Sequence, residues 1–303
     1  MPDADLSGKR AETLLPEALL PEPAEDARLL AEAARAAGRL ALAYFGRDPE
    51  VWTKEGNSPV SEADIAADNF LREHLMAARP DYGWLSEESA DTPDRLQRRR
   101  VFVVDPIDGT RAFIAGDKEW AVSAAVVEDG RPIAAALYQP VTDDLWVSAL
   151  GLGARRGNVG LEATARESLD GARVTGPRRY LKHPEMHRHG LEPRPFVPSL
   201  ALRLAYVADG RLDVAFGSSF ANDWDLAAAD LLVHEAGGTL TTLRGPAGAL
   251  QRRGAAASAA GRRRAGPGRH RDRASGARRR DRSHPDGELI RSFAKRPVGP
   301  FRE

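Results

Sequence analysis

Four consecutive apolar residues, Val101–Val104, break directly into Asp105-Pro106-Ile107-Asp108-Gly109-Thr110. This junction constrains the chain more than any other feature. The apolar run has the pattern of a buried strand. Two carboxylates three residues apart at the end of a strand can converge on one point, with the turn closing around a cation. Pro106 fixes φ and forbids helix until the turn is made, and Gly109 lets the backbone approach a ligand closely. A short helix starting at Gly109-Thr110 would aim its free N–H groups at the same spot and favour an anion. Pro, Asp and Gly are also ordinary turn residues, so the hexapeptide alone has a second, less favoured reading as an Asp-rich turn.

Other acidic residues stand at suggestive places. Glu87-Glu88 follows the apolar pair Trp84-Leu85, and Asp225 opens a helical stretch in Trp224-Asp225-Leu226-Ala227. Each has an ordinary reading too: a solvated acidic turn for the first, a carboxylate favoured by the helix dipole for the second. Lys54 adds a cation. Ser61 and Asp64 stand at N-cap and N3 spacing, a capping-box variant at the start of a helix over 61–78.

Around these points the pattern predicts a loose arm over 1–23, rich in proline, and a helix over 24–45 ended by Gly46. Strands follow over 120–127, 132–138 and 144–149, the first two joined by the turn Glu128-Asp129-Gly130-Arg131. A weakly patterned stretch runs from Gly151 to about Pro195, and the expected domain division is 24–170 and 171–244. Helices over 199–208 and 224–236 alternate with strands over 212–216 and 239–243, as in an α/β layer.

The chain has 303 residues, 42% hydrophobic, enough for two ordinary domains or one large layered one. No stretch approaches the roughly 20 apolar residues of a membrane span. The mixed first twenty residues do not read as an export signal, so the expectation is a cytoplasmic protein. Cysteine is absent, which excludes disulfides, thiolate zinc sites and thiol catalysis. Any metal must be held by oxygen or imidazole. The 44 basic and 44 acidic residues balance, but Arg252–Arg282 carries twelve Arg against two Asp. The rest of the chain is therefore acidic by ten charges, a poor general nucleic-acid binder.

Taken in order, Ser58-Pro59-Val60-Ser61-Glu62-Ala63-Asp64, Ser86-Glu87-Glu88-Ser89, Asp105 to Thr110, and Trp224 to Ala229 closing with Glu235-Ala236-Gly237-Gly238 resemble the inositol monophosphatase superfamily. The resemblance covers roughly residues 24–243. It implies a layered αβαβα sandwich of the inositol monophosphatase/fructose-1,6-bisphosphatase type. It also implies Mg²⁺-dependent, lithium-sensitive removal of phosphate from a small ester, with two or three Mg²⁺ ions, by a monomer or homodimer. Glu87, Asp105 and the carbonyl of Ile107 would be ligands of one metal, and Asp105, Asp108 and Asp225 of a second. Thr110, with Asp64 behind it, would orient the attacking water, and Glu87 would complete the catalytic set. Asp108, Asp225 and the amides of Gly109 and Thr110 would hold the phosphate end of the substrate. Paired metals about 3.5–4 Å apart can both activate water and stabilise the leaving oxygen, and oxygen-only ligands suit Mg²⁺.

The substrate is less constrained. Phe216–Asn222 offers no acid of the kind that meets sugar hydroxyls in the inositol enzymes. The run Pro198-Ser199-Leu200-Ala201-Leu202-Arg203-Leu204-Ala205 resembles bacterial 3′(2′),5′-bisphosphate nucleotidases of the CysQ type. Arg203 and Lys182 are candidate contacts for a second phosphate; His183, His187 and His189 read as solvated. Inositol, other sugar and histidinol phosphates remain alternatives. After Gly245 the chain changes character: 252–282 contains no Val, Ile, Leu, Met or aromatic residue and cannot offset its ordering entropy. It reads as a frame-shifted or substituted segment, with helix returning over 286–295. The competing reading is a genuine basic tail that makes the chain a nucleic-acid-binding interaction protein.

Overall fold

The computed structural model describes residues 22–54, 58–166, 168–217, 221–242, 245–246 and 291–292. The chain opens with helix α1 (Glu22–Leu42), the short strands β1 (Val51–Thr53) and β2 (Pro59–Ser61), and helix α2 (Glu62–Ala78). Strands β3 (Gly83–Ser86) and β4 (Arg100–Asp108) follow, separated by a 3₁₀ turn, then the short helix α3 (Thr110–Ile114). A meander of β5 (Ala121–Glu128), β6 (Arg131–Gln139), β7 (Asp144–Ala149), β8 (Ala154–Arg156) and β9 (Val159–Gly160) completes a seven-stranded sheet in the order β3-β4-β5-β6-β7-β8-β9. Only β3 and β4 run parallel; the other pairs are antiparallel.

The second part of the chain carries β10 (Arg173–Thr175), α4 (Arg178–Leu181), α5 (Pro184–Arg188), β11 (Glu192–Pro193), α6 (Leu200–Ala208), β12 (Val214–Ala215), α7 (Asp223–Glu235) and β13 (Leu240–Thr242). Strands β11, β10 and β12 form a small parallel sheet. Backbone pairs also join β13 to β14 (Gly245–Pro246) and β15 (Arg291–Ser292).

Strand alternation sorts the core into layers. Phe102 and Val104 of β4, with Val122, Ala124, Ala134 and Ala136, face α1 and α2 through Leu30, Ala33, Ala37, Leu71 and Leu75. Val101 and Val103, with Ala125 and Ala135, face α7 through Ala227, Ala228 and Leu231. Helix α6 joins α7 over the same face near Leu137 and Trp146. The small sheet lies beyond, its Val174, Val214 and Phe216 packed with Tyr180, Leu181 and Met186 of α4 and α5. The order is helix, sheet, helix, sheet, helix, the αβαβα sandwich expected from the sequence.

Several boundaries differ from expectation for local reasons. β4 does not stop at Val104 but continues through Asp108, because a register shift between Asp105 and Asp108 absorbs Pro106, which has no N–H to donate. α1 begins at Glu22, so the last two residues of the expected arm are helical, and it ends at Leu42, with tight turns over 43–45 leading to Gly46 at φ 71°. Arg291 and Ser292, expected within a helix over 286–295, instead pair antiparallel with Thr241 and Leu240 of β13. The arm to residue 21 and the Arg-rich stretch 252–282 lie outside the described residues.

Candidate active site

The site forms where β3 and β4 end together. Their parallel register sets Ser86 opposite Val104, and the Glu87 N–H donates to the Val104 carbonyl at 3.3 Å. Glu87 therefore leaves the sheet beside Asp105. Asp105 shares the strand face of Val101 and Val103, the face covered by α7. The first turn of α7 carries Asp225. Carboxylate oxygens of Glu87, Asp105 and Asp225 consequently lie within 4.8 Å of one another. Among the described residues this is the group of acidic and imidazole side chains close enough to share a metal ion.

Burial and crowding leave these acids reluctant to ionise. The Asp105 carboxyl is pushed well above the usual carboxylate range by burial, then by Glu87, Asp108 and Asp225. Asp225 is raised to about 8 by burial and by Asp108 and Glu87, against the Asn222 backbone N–H and Arg203, which lower it. A cation relieves this repulsion, and an all-oxygen donor set suits a hard ion such as Mg²⁺ better than a soft one. The residues fit the metal that the sequence resemblance implies.

Asp108 is held differently. Its Oδ2 accepts from the Ser199 hydroxyl and from the Ala201 N–H at 2.7 Å, tying it to the N-terminus of α6. It lines the same cavity but stands outside the three-carboxylate group. The Asp105 Oδ1 accepts the Ile107 N–H at 3.0 Å, which folds the bulge back on itself. Gly109 follows at φ 99°, and a Cβ there would sit 2.9 Å from the Glu119 carbonyl oxygen, so no side chain fits. α3 starts at the next residue, with Gly109 as its N-cap.

Thr110 sits beneath the cluster. Its Oγ1 lies 3.2 Å from Asp64 Oδ1 and 3.1 Å from the Ile107 carbonyl oxygen. Asp64 does what its N3 spacing predicts: its Oδ2 accepts the Ser61 N–H at 2.8 Å and the Ser61 hydroxyl at 2.6 Å, closing the capping box of α2. Burial raises its pKa, although the Ser61 contacts pull the other way.

Sequence reasoning passed over several supports. Glu88, assigned no role of its own, has an almost fully buried side chain paired with the Lys54 ammonium at 2.5 Å; Lys54 also reaches Glu87 at 3.3 Å. Ser199 both caps α6, accepting the Leu202 N–H at 3.0 Å, and donates to Asp108. Its place before an apolar helix was the available signal. Ser86 and Ser89 both donate to the buried Asp68, which fixes the turn that presents Glu87.

Arg203 is a correction. Expected as a contact for a second phosphate, it is only 6% exposed. It donates to the carbonyls of Phe216 at 2.7 Å, Pro198 at 3.1 Å and Ser199 at 3.4 Å. Its position at the end of the first turn of a helix that is buried throughout turns it inward. Lys182 caps the exposed end of α4. His189 pairs with Asp170 at 2.8 Å, and none of the three histidines joins a metal-binding group.

The cavity at this site, about 300 Å³, is lined by Glu87, Asp105, Asp108, Gly109, Thr110 and Asp225, together with Ser58, Pro59, Arg111, Phe196 and Pro198. A wider hollow of about 740 Å³ near the small sheet is lined by Arg166, Arg173 and Asp213 among others. Its cations already face Asp213, Arg173 at 2.8 Å and Arg166 at 3.5 Å, and it assembles no comparable chemistry.

An αβαβα sandwich that gathers acids at the joint ends of two parallel strands, with helix N-termini facing the same cavity, is the architecture of a phosphoric monoester hydrolase. The inositol monophosphatase family matches residues 22–276, and the chain belongs to it. The chain is 33% identical over 228 residues to an inositol-1-monophosphatase of Rhizobium meliloti, covering 72% of this chain and 85% of that one. It is 28% identical over 229 residues to the 3′(2′),5′-bisphosphate nucleotidase CysQ of Aggregatibacter actinomycetemcomitans, covering 70% and 82%. The crystal structure of the extragenic suppressor protein suhB from Bartonella henselae superposes with a TM-score of 0.67 at 30% identity, covering 73% of this chain and 89% of that one.

Proposed function

We propose that this chain is a Mg²⁺-dependent, Li⁺-inhibited phosphomonoesterase that removes one phosphate from a nucleoside 3′,5′-bisphosphate such as 3′-phosphoadenosine 5′-phosphate. The observation that carries the reaction class is the convergence of Glu87, Asp105 and Asp225 within 4.8 Å beside the Gly109–Thr110 turn. Glu87, Asp105, Asp225 and the Ile107 carbonyl would hold the metal, with Asp108 alongside. A divalent ion bound there supplies Lewis acidity, lowering the pKa of water and offsetting phosphate charge.

The chain's own residues divide the remaining work. Gly109 and Thr110 line the cavity at the start of α3, and their N–H groups would donate to phosphate oxygens. Thr110 Oγ1, donating to Asp64, keeps lone pairs with which to accept a proton from the attacking water, and Asp64 receives the proton that Thr110 passes on. Ser199 and the Ala201 N–H hold Asp108 in one rotamer. Lys54 pairs with both Glu87 and Glu88 and partly offsets the burial that raises the Glu88 carboxyl to about 7. Asp64 and Thr110 thus orient and deprotonate, while the helix-end amides position.

The nucleotide reading rests on the CysQ-like run at 198–205, on the CysQ relative, and on the absence of an acid over 216–222. A second reading, hydrolysis of inositol 1-phosphate, is favoured by the higher identity to the Rhizobium meliloti enzyme. Phosphate release from both esters, with Mg²⁺, with Mg²⁺ plus Li⁺, and in Asp105→Asn, separates them. Faster metal-dependent turnover of the nucleotide, abolished in Asp105→Asn, supports the proposal. Preference for inositol 1-phosphate replaces it with the second reading, and turnover that survives Asp105→Asn sinks both.

A further inference from the structure

Among the described residues most large rings are buried or half-buried; Trp52, 43% exposed, does not line the active-site cavity. Phe102, Phe113, Trp120, Trp146 and Phe216 are essentially fully buried, whereas Phe196 is 51% exposed. It lines that cavity, as does Pro198. An isolated exposed apolar residue on a surface needs no explanation. A fixed one beside a reaction centre does.

Phe196 is fixed from both sides along the chain. The Thr175 hydroxyl donates to the Pro195 carbonyl at 2.8 Å, and Arg203 donates to the Pro198 carbonyl at 3.1 Å. The two prolines further limit the backbone of 195–198. The Arg203 guanidinium lies over one face of the Phe196 ring, 4.9 Å from its centroid. That guanidinium is itself clamped by three carbonyls, so it backs the ring as a rigid plate. The ring cannot fold inward, since Arg203 occupies the space beneath it. Its outer face stays wet beside the cavity.

We infer that Phe196 is a specificity-determining residue whose outer face stacks the planar, aromatic part of the substrate's leaving group, a nucleobase, while the phosphate end sits at Gly109 and Thr110. Flat aromatic groups gain more from such a platform than polyol rings do, because only the former offer a π-face. The buried cation beneath enforces the ring's pose without touching the ligand. This inference rests on the phosphomonoesterase reading of the site and adds the group that distinguishes one ester from another.

The test compares full-length wild type, Phe196→Ala and Phe196→Trp on 3′-phosphoadenosine 5′-phosphate and inositol 1-phosphate, measuring kcat and KM separately. The nucleotide-to-inositol ratio of kcat/KM should fall about tenfold in Phe196→Ala, mainly through the nucleotide KM, and return in Phe196→Trp. AMP, as a competitive inhibitor of either reaction, should weaken by a similar factor in Phe196→Ala. An unmoved ratio with equal losses on both esters would reduce Phe196 to a support of the loop and overturn the inference, as would undiminished AMP inhibition. Wild type that prefers inositol 1-phosphate defeats the nucleotidase reading alone. The shift in ratio and the AMP measurement still judge Phe196 in that case.

Discussion

Replacing Asp225 by Asn should make the metal-free protein more stable, and more so as pH rises. The folded carboxyl is raised to about 8, against an ordinary value of 3.8. Between these values the folded chain keeps a proton that the unfolded chain has released. Stability from this group is therefore complete below about pH 4 and is lost as pH rises towards 8, by about 1.4 kcal/mol per pH unit. At pH 7 the accumulated loss is about 4 kcal/mol, and the solvent still in contact with Asp225 trims it to about 2–3 kcal/mol. Asparagine has no proton to hold, yet its side-chain oxygen can still accept the Asn222 N–H that Asp225 accepts at 2.7 Å. For a domain of this size each kcal/mol moves Tm by about 2–4 °C, so Asp225→Asn should melt about 5–10 °C above wild type at pH 7 in chelator. The gap should shrink towards pH 5. Added Mg²⁺ should raise wild-type Tm by mass action and raise the variant's much less. Circular-dichroism melts from pH 5 to 8, with EDTA or Mg²⁺, read all of this. A gap independent of pH, or a variant less stable than wild type at pH 7 in EDTA, would refute the account of a cluster held together against its own charge.

Two further substitutions probe the frame around the site. Asp213 is held at about 2, burial notwithstanding, by the Arg173 side chain and backbone N–H and by the Thr164 hydroxyl. Asp213→Asn should therefore cost about 2 kcal/mol at pH 7, a loss that fades as pH falls through 4 towards 2, measured by urea denaturation at several pH values. Arg203→Met leaves the carbonyls of Ser199, Pro198 and Phe216 without their charged donor. It should lower the unfolding free energy by about 2–4 kcal/mol in urea melts. A loss under about 0.5 kcal/mol would show that water replaces the guanidinium, contrary to its burial.

The sequence was most legible where one residue's environment follows from its neighbours. The apolar run before Asp105, the Ser61–Asp64 spacing and the glycine at 109 each specify a local geometry, and strand, capping box and left-handed N-cap all formed there. Legibility faded where a contact joins distant segments. Nothing in Ser199 alone says that its hydroxyl will meet a carboxylate 91 residues earlier, and nothing in Arg203 distinguishes a ligand for phosphate from a donor to three carbonyls. Both outcomes depend on where α6 lands over the sheet, a matter of packing between layers. Short strands such as Val214–Ala215 were overextended in the reading for the same reason, since pairing partners, not apolar runs, set their ends.

The acids of the site are also the fastenings of the helices around it. Asp64 closes the capping box of α2 while accepting from Thr110. Asp225 is the N3 residue of the capping box of α7 while belonging to the carboxylate cluster. Asp108 accepts the Ala201 N–H in the first turn of α6. Three helix N-termini thus gather at or next to the cavity, each fastened by a carboxylate that the proposed chemistry also uses. Helix dipoles partly offset the repulsion among the acids, beside Lys54 at Glu87 and Arg203 near Asp225. They also favour the phosphate dianion, whose charge the acids would otherwise repel. Substitutions at these carboxylates must therefore change stability and turnover together, in opposite directions where charge relief dominates, as at Asp225, and in the same direction where the cap dominates, as at Asp64.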